Sequence, residues 1–281
     1  MTSTSTPTTT LAGWYPDATG DAQTPADVAV MMPTIVRPSI VRALHSIYDQ
    51  RFDGRIQIVI GIDVRQGDAA PLLATIADRP AHVSVLIVHL PWSTSARHGG
   101  VHVTLDGGGL KSILAFSANA RLLAQLDDDN QWLPDHLALL TAAIEGKSWA
   151  YAQRLLIDED SDRVLGPDIW DSVGPGAGRF MAMGGFVDPN CLLIDKVALV
   201  RMLSLYSDTP DKKPSYTSDR LLFSGIARHP HGRVDQATVR YHIRRTNIMW
   251  QFLVAQQRSG GLDDYGWSVS GEHGKWDVTF R

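Results

Sequence analysis

From Asp27 onward, short unbroken runs of aliphatic residues alternate with segments whose apolar positions recur every three or four residues. Residues 28–32, 56–62 and 83–90 are runs of the first kind, and their near-continuous apolar character predicts strands covered on both faces. Between them, Ile40, Leu44, Ile47 and Tyr48 share one face of a helix opened by Pro38, and 69–78 predicts a second helix. A loop over 91–109 holds two glycine clusters. Leu110, Ile113, Leu114, Ser117 and Ala118 then line a further helix, and 121–126 predicts a fourth strand. Pro134 starts a helix through Leu137, Leu140, Thr141 and Ile144. Strand alternating with helix is the pattern of an α/β sheet with right-handed crossovers.

The second half is less regular. Residues 149–157, 180–187 and 234–243 predict strands, and 195–206 predicts a helix with Leu199, Met202, Leu203 and Tyr206 aligned. Ser218 has the chemistry of an N-cap for a helix running to about Arg228, while 158–179 and 207–217 read as polar loops. Residues 1–25 begin with Ser, Thr and Pro in near-continuous series, and they predict a disordered leader without the basic start or apolar core of a secretory signal. No repeat or linker interrupts the remainder, so 26–281 is expected to be one domain, divided into halves at 140.

The 26 Lys and Arg against 30 Asp and Glu leave a net charge of −4, which provides no general attraction to nucleic acid or anionic lipid. Arg240, Arg244 and Arg245 can still form a local basic surface. A single cysteine, Cys191, excludes an intrachain disulfide and a four-thiolate zinc site, and fits a reducing, cytoplasmic setting. No apolar run has the length of a membrane-spanning helix.

In an open α/β sheet, ligands bind beyond the carboxyl ends of the strands. Asp63, the triplet Asp127, Asp128 and Asp129, and Asp106 fall at such positions. Adjacent carboxylates repel one another, so the triplet belongs in water or around a cation, and hard oxygen ligands favour Mg2+ or Mn2+. On an extended chain, Asp127 and Asp129 point the same way and can reach one metal. A solvated acidic turn before the helix at Pro134 explains the triplet equally well. His229 and His231 lack a third ligand for zinc. The glycines at 107–109 lack the G-x-G-x-x-G spacing of a dinucleotide loop and read as local flexibility. Trp132 and Trp170 suit sugar stacking, although core packing is the commoner fate of tryptophan.

Taken in order, these segments resemble the GT-A glycosyltransferases of family 2. VAVMMPTIVR resembles the family's first strand, with Pro33, Thr34 and Arg37 in the expected places, and Ser46 and Gln50 match its first helix. IQIVIGID resembles the second strand, whose terminal acid, here Asp63, contacts the nucleotide base in the family. KSILAFSANARLLAQLDDDN resembles the segment leading into the Asp-x-Asp motif, with Lys111 at the family's basic position, Ser112 replacing an Asn, and Asp127 and Asp129 as the two acids. TSDRLLFSGIA resembles the segment carrying the general base; Ser218 replaces the family's Glu and Asp219 holds the base position. Gly185 and Phe186 resemble its acceptor-side loop, and VRYHIRRTN a late strand whose His or basic residue approaches the diphosphate or metal.

The resemblance implies a mostly parallel, Rossmann-like sheet flanked by helices, with residues 26–140 binding the nucleotide sugar and 141–281 the acceptor. It implies inverting transfer from a UDP- or GDP-type donor to a glycan, lipid-linked glycan or protein hydroxyl. Pro33, Thr34, Arg37, Asp63, Lys111, Asp127 and Asp128 would bind the donor, Asp129 and Asp127 a Mn2+ or Mg2+ ion, and Asp219 the hydroxyl proton. The setting would be cytoplasmic, with the inner face of the membrane open to it, in polysaccharide synthesis. A sugar-phosphate nucleotidyltransferase would need a glycine-rich basic loop after the first strand, and a haloacid-dehalogenase-type phosphohydrolase would carry its acids there. This chain has neither. The replacements at Ser112 and Ser218 leave open a GT-A-like domain that binds nucleotide without transferring sugar.

Overall fold

The computed structural model describes residues 11–104, 106–208, 217–272 and 275–281. Its strands are β1 (Gly13–Tyr15), β2 (Ala26–Thr34), β3 (Ile56–Ile62), β4 (Val83–His89), β5 (Ala120–Gln125), β6 (Gln131–Trp132) and β7 (Trp149–Asp158) in the first part of the chain. They continue as β8 (Val164–Pro167), β9 (Gly174–Pro175), β10 (Gly185–Phe186), β11 (Leu192–Asp195), β12 (His231–Ile243), β13 (Trp267–Glu272) and β14 (Lys275–Phe280). The helices are α1 (Ile40–Tyr48), α2 (Ala70–Ala77), α3 (Gly108–Ser117), α4 (His136–Ala143), α5 (Ser218–Ile226) and α6 (Met249–Arg258).

One sheet organises the molecule, in the order β1-β4-β3-β2-β5-β11-β7-β12-β6, with β8 beside β7. β2, β3, β4 and β5 run parallel, as do β7 and β12, and these pairings have the longest ladders of this sheet. β11 runs antiparallel between β5 and β7 and joins the two parallel blocks. Every residue of β3 is buried, as the unbroken run IQIVIGI requires of a strand covered on both faces. The chain lays β3 and β4 on one side of β2, then returns to place β5 on the other. That reversal opens a crevice at the carboxyl ends of β2 and β5.

The main core joins these strands to α1, α3, α4 and α5. A second apolar cluster gathers Leu156 and Ile243 from the ends of β7 and β12 with Trp250, Leu253, Val254 and Trp267. Gly232 shows how closely the layers meet: a Cβ there would stand 1.9 Å from the carbonyl oxygen of Ala143, in the last turn of α4. Gly232→Ala must displace that helix end and is expected to cost about 1–3 kcal/mol. The measurement is a denaturant titration, with a lower midpoint and an unchanged slope as the expected result.

Several elements differ from expectation. Residues 1–10 of the expected leader lie outside the described residues, but residues 13–15 form β1, paired with β4, and the Leu11 N–H donates to His89 Nδ1 at 2.9 Å. Ordered structure therefore begins before residue 26. The expected strand over 180–187 is a short 3-10 helix, Gly178–Met183, followed by the two residues of β10. The expected helix over 195–206 starts as strand β11 and turns at Asp195, whose carboxylate accepts from the N–H groups of Val197 and Ala198; a 3-10 helix, Val200–Ser207, follows. Ser218 is the first residue of α5 rather than its cap, a position held by Thr217. α6 and the β13–β14 hairpin complete the fold beyond the strands expected from the sequence. Among the described residues, no helix is long and apolar enough to cross a membrane.

Candidate active site

A cleft of about 490 Å3 lies at the carboxyl ends of β2, β3 and β5. Its walls include Pro33 and Thr34 at the end of β2, Arg37 just beyond it, Asp63 after β3, and the acid triplet after β5. Lys111 of α3, Asp219 of α5 and Tyr241 of β12 close it. The donor-side residues and the base expected from the sequence thus share one cavity. Gly185 and Phe186 stand apart, lining a separate cavity of about 60 Å3 with Met183 and Arg220. Phe186 is buried edge-on to Phe180 and Phe223, so core packing accounts for its ring.

The three acids of the triplet have different surroundings. Residues 127–130 do not continue extended: the Asn130 N–H donates to the Asp127 carbonyl at 3.1 Å and closes a turn. Asp128 is directed inward, accepting 2.6 Å bonds from Thr34 Oγ1 and from the Arg37 guanidinium. Its side chain is 1% exposed, so it ties β2 to the turn. Thr34 Oγ1 also accepts from the Val36 N–H at 2.7 Å, within a turn that holds Val36 at φ 64°. A β-branched residue in that left-handed region is strained, and the turn it makes brings Arg37 to the acids.

Asp127 is held by Asn190, which donates to its Oδ2 at 2.8 Å and accepts from its N–H at 2.7 Å; Gln125 donates to Oδ1 at 2.9 Å. Burial pushes the Asp127 carboxyl up to about 6, against the pull of Lys111 and with the help of Asp129 and Asp188. Asn190 is itself fixed by Asp188, which accepts from it at 2.7 Å, and Asp188 pairs with the buried Arg154 at 2.7 Å. Asp129 is the freest of the three, with a side chain 31% exposed and its nearest cation, Arg37, at 3.5 Å. Burial raises its carboxyl as well, with Asp128 adding to the shift and Arg37 opposing it.

This donor set is built of hard oxygens and suits Mg2+ or Mn2+. No group of three or more His, Cys, Asp or Glu among the described residues could hold a metal by itself. An ion at Asp129 and Asp127 would therefore need substrate phosphate oxygens and water to complete its shell, the usual arrangement for Mg2+. His242 instead pairs through Nε2 with Asp162 at 2.8 Å, and His231 stacks on Trp149. Trp132 is buried against His136 and donates to the Asn190 carbonyl at 2.9 Å, a core role.

Across the cleft, Asp219 sits in the first turn of α5. Its Oδ1 accepts from Lys111 Nζ at 2.6 Å, and its Oδ2 has no hydrogen-bond partner among the described residues. Burial pushes its carboxyl up to about 6; Lys111 opposes the shift and Asp106 and Asp127 reinforce it. Burial disfavours the charge on Lys111, but Asp219 and Asp106 outweigh it and hold the ammonium well above an ordinary lysine. Asp63 has its Oδ1 on the Thr94 N–H at 3.1 Å, which aligns the carboxylate at the cleft wall. Asn190 carries no local motif, and only the fold brings it to Asp127, whereas Gln125 stands two residues before Asp127 at the end of β5.

No family model matches the chain, and no curated protein does. Solved structures do. TarS of S. aureus superposes with a TM-score of 0.57 over 82% of this chain and 39% of that one, at 12% identity. TarS 1–349 in complex with UDP-GlcNAc gives 0.56 over 78% and 59%, at 14% identity. The mannosyltransferase PcManGT of Pyrobaculum calidifontis, in complex with GDP-Man and Mn2+, gives 0.51 over 86% and 63%, at 14% identity. The chain has the GT-A fold. It spans less than two thirds of each of these structures. At such identities the likeness establishes the architecture, and the chemistry has to be argued from the cleft.

Proposed function

We propose that the protein is an inverting glycosyltransferase that moves a sugar from a UDP- or GDP-sugar to a hydroxyl of a glycan, a lipid-linked glycan or a protein. One observation carries this reading: in a GT-A fold, a strand-end acid, an acid triplet and a carboxylate with a raised pKa meet in a single cleft. UDP-GlcNAc in one structural neighbour and GDP-Man with Mn2+ in another support a nucleotide-sugar donor.

In this reading Asp63 contacts the base, Arg37 beside the acid triplet supplies positive charge to the diphosphate, and Lys111, paired with Asp219, adds positive charge from the opposite wall of the donor cleft. Asp129, with Asp127, would hold Mn2+ or Mg2+, which when bound neutralises negative charge on the departing diphosphate. The acceptor hydroxyl oxygen attacks the anomeric carbon from the face opposite the diphosphate, and its proton passes to Asp219 Oδ2. A bond from that carbon to the acceptor oxygen forms as the bond to the diphosphate oxygen breaks. The products are the inverted glycoside and the nucleoside diphosphate. A carboxylate raised towards neutrality is a better proton acceptor than an ordinary aspartate, provided it lies within hydrogen-bond reach of the hydroxyl.

Titration calorimetry with UDP and GDP, with and without Mn2+, tests the donor site. The wild type is expected to bind one of the two nucleotides only when metal is present. Asp129→Ala is expected to weaken that binding by at least about tenfold, or roughly 1.4 kcal/mol. Failure of both nucleotides to bind under any metal condition would remove the donor assignment.

A further inference from the structure

Helix α5 carries the proposed base in its first turn, yet Thr217 at its N-cap makes no side-chain cap. The cap comes from elsewhere in the chain. Asp106 Oδ2 accepts from both the N–H and the Oγ–H of Ser218, each at 2.8 Å. Ser218 Oγ in turn accepts from Lys111 Nζ at 3.2 Å, and the same ammonium donates to Asp219 Oδ1 at 2.6 Å and lies 4.0 Å from Asp106 Oδ2. Asp106, Ser218, Lys111 and Asp219 therefore close a ring around one ammonium. Ser218 and Lys111 are both buried.

The glycines that follow Asp106 let it approach. Gly107 takes φ 77°, which turns the chain into α3. A Cβ on Gly108 would stand 2.0 Å from the Tyr206 carbonyl oxygen and 3.1 Å from Ser218 Cβ. Gly108 is thus packed closely against Tyr206 and the start of α5, where the sequence alone suggested flexibility.

We propose that Asp106 is a positioning residue for the general base: through Ser218 and Lys111 it orients Asp219 so that Oδ1 is occupied and Oδ2 is left for the acceptor hydroxyl. The inference rests on reading Asp219 as the base. With Asp106 present, the Lys111 ammonium is shared between two carboxylates and the Ser218 hydroxyl proton is committed to Asp106. Without it, the whole charge of Lys111 falls on Asp219, and Ser218 Oγ, 3.3 Å from Asp219 Oδ1, is free to donate there too. Both changes stabilise the carboxylate and weaken it as a base. The other charged or titratable groups facing Asp219 are Asp127 after β5, Tyr206 on the 3-10 helix and its neighbour Arg220, and the substitution leaves all three in place.

The experiment compares the wild type, Asp106→Asn, Asp106→Ala and Asp219→Asn in sugar transfer across pH, with Mn2+-dependent nucleotide binding and thermal melting measured on each. Asp106→Asn keeps an oxygen for the Ser218 N–H and removes only charge. It is expected to lower kcat about 10- to 100-fold and to move the acid limb of the kcat profile to lower pH. Nucleotide binding is expected to hold or tighten, since a negative charge leaves the cleft. An unchanged kcat and acid limb in Asp106→Asn would overturn the proposal. So would a loss of kcat that tracks a lower melting temperature with the acid limb in place, because a helix cap alone would do that. Should Asp106→Ala fail to fold, Asp106→Asn decides. Transfer retained by Asp219→Asn would instead overturn the base assignment, and with it any positioning role for Asp106.

Discussion

Asp219→Asn is expected to lower sugar transfer by about 10²- to 10⁴-fold while leaving metal-dependent nucleotide binding intact. The substitution is nearly isosteric. It removes the proton acceptor but keeps an oxygen for Lys111, whose ammonium also has Ser218 Oγ at 3.2 Å and Asp106 at 4.0 Å. The donor residues on β2, β3 and β5 are untouched. In the wild type, the same assignment predicts the pH profile. A base raised to about 6 is deprotonated above that pH, so kcat/KM rises through pH 6 and levels off towards neutrality. Asp127, also pushed up to about 6, lies in the same cleft and must lose its proton to bind a cation. The acid limb is therefore expected to be steeper than a single ionisation, with apparent values that belong to both carboxyls. Transfer that survives in Asp219→Asn, or a flat profile through pH 6, would show that another group takes the hydroxyl proton.

The first half of the fold was legible because parallel strands buried on both faces leave a local mark. IQIVIGI reads as a covered strand without any knowledge of its neighbours, and its seven residues are all buried. The acids were legible by position, since they follow such strands. The second half depends on pairings that no local pattern displays. β11 has four residues, Leu192–Asp195, and its apolar run merges in the sequence with the helical spacing of Leu199 and Leu203; only antiparallel pairing with both β5 and β7 makes it a strand. α6 and β14 did carry signals. Met249, Trp250, Leu253 and Val254 fall on one helical face, and the half-buried Trp276, Val278 and Phe280 alternate with exposed residues. The distinct roles within the triplet were not legible. Three identical side chains in series differ only in what the rest of the chain places beside them: Thr34 and Arg37 for Asp128, Asn190 for Asp127, and open cleft for Asp129.

Arg154→Met is expected to destabilise the fold by about 3–5 kcal/mol, near the upper limit for a single substitution. Arg154 lies within β7 and is 1% exposed. Its three guanidinium nitrogens donate to Asp168 at 2.8 Å, Asp171 at 2.8 Å and Asp188 at 2.7 Å, and its plane lies 3.9 Å from the Tyr241 ring centroid. Burial opposes the charge, but these carboxylates outweigh it. Methionine fills similar volume and leaves the carboxylates buried, with only Asp171 keeping a cation, Arg179 at 2.7 Å. Arg154→Lys is expected to recover only part of the loss, because an ammonium cannot satisfy three carboxylates placed for a planar fork. The site should feel the same substitution. Asp188 orients Asn190 and Asn190 holds Asp127, so losing Arg154 frees a carboxylate two contacts from the proposed metal ligand. Denaturant unfolding measures the first effect, and Mn2+-dependent nucleotide binding, measured well below the unfolding transition, reads the second. A midpoint unchanged in Arg154→Met would show that this network adds no net stability. Weakened Mn2+ dependence in the still-folded variant would tie the buried cluster to the chemistry of the cleft.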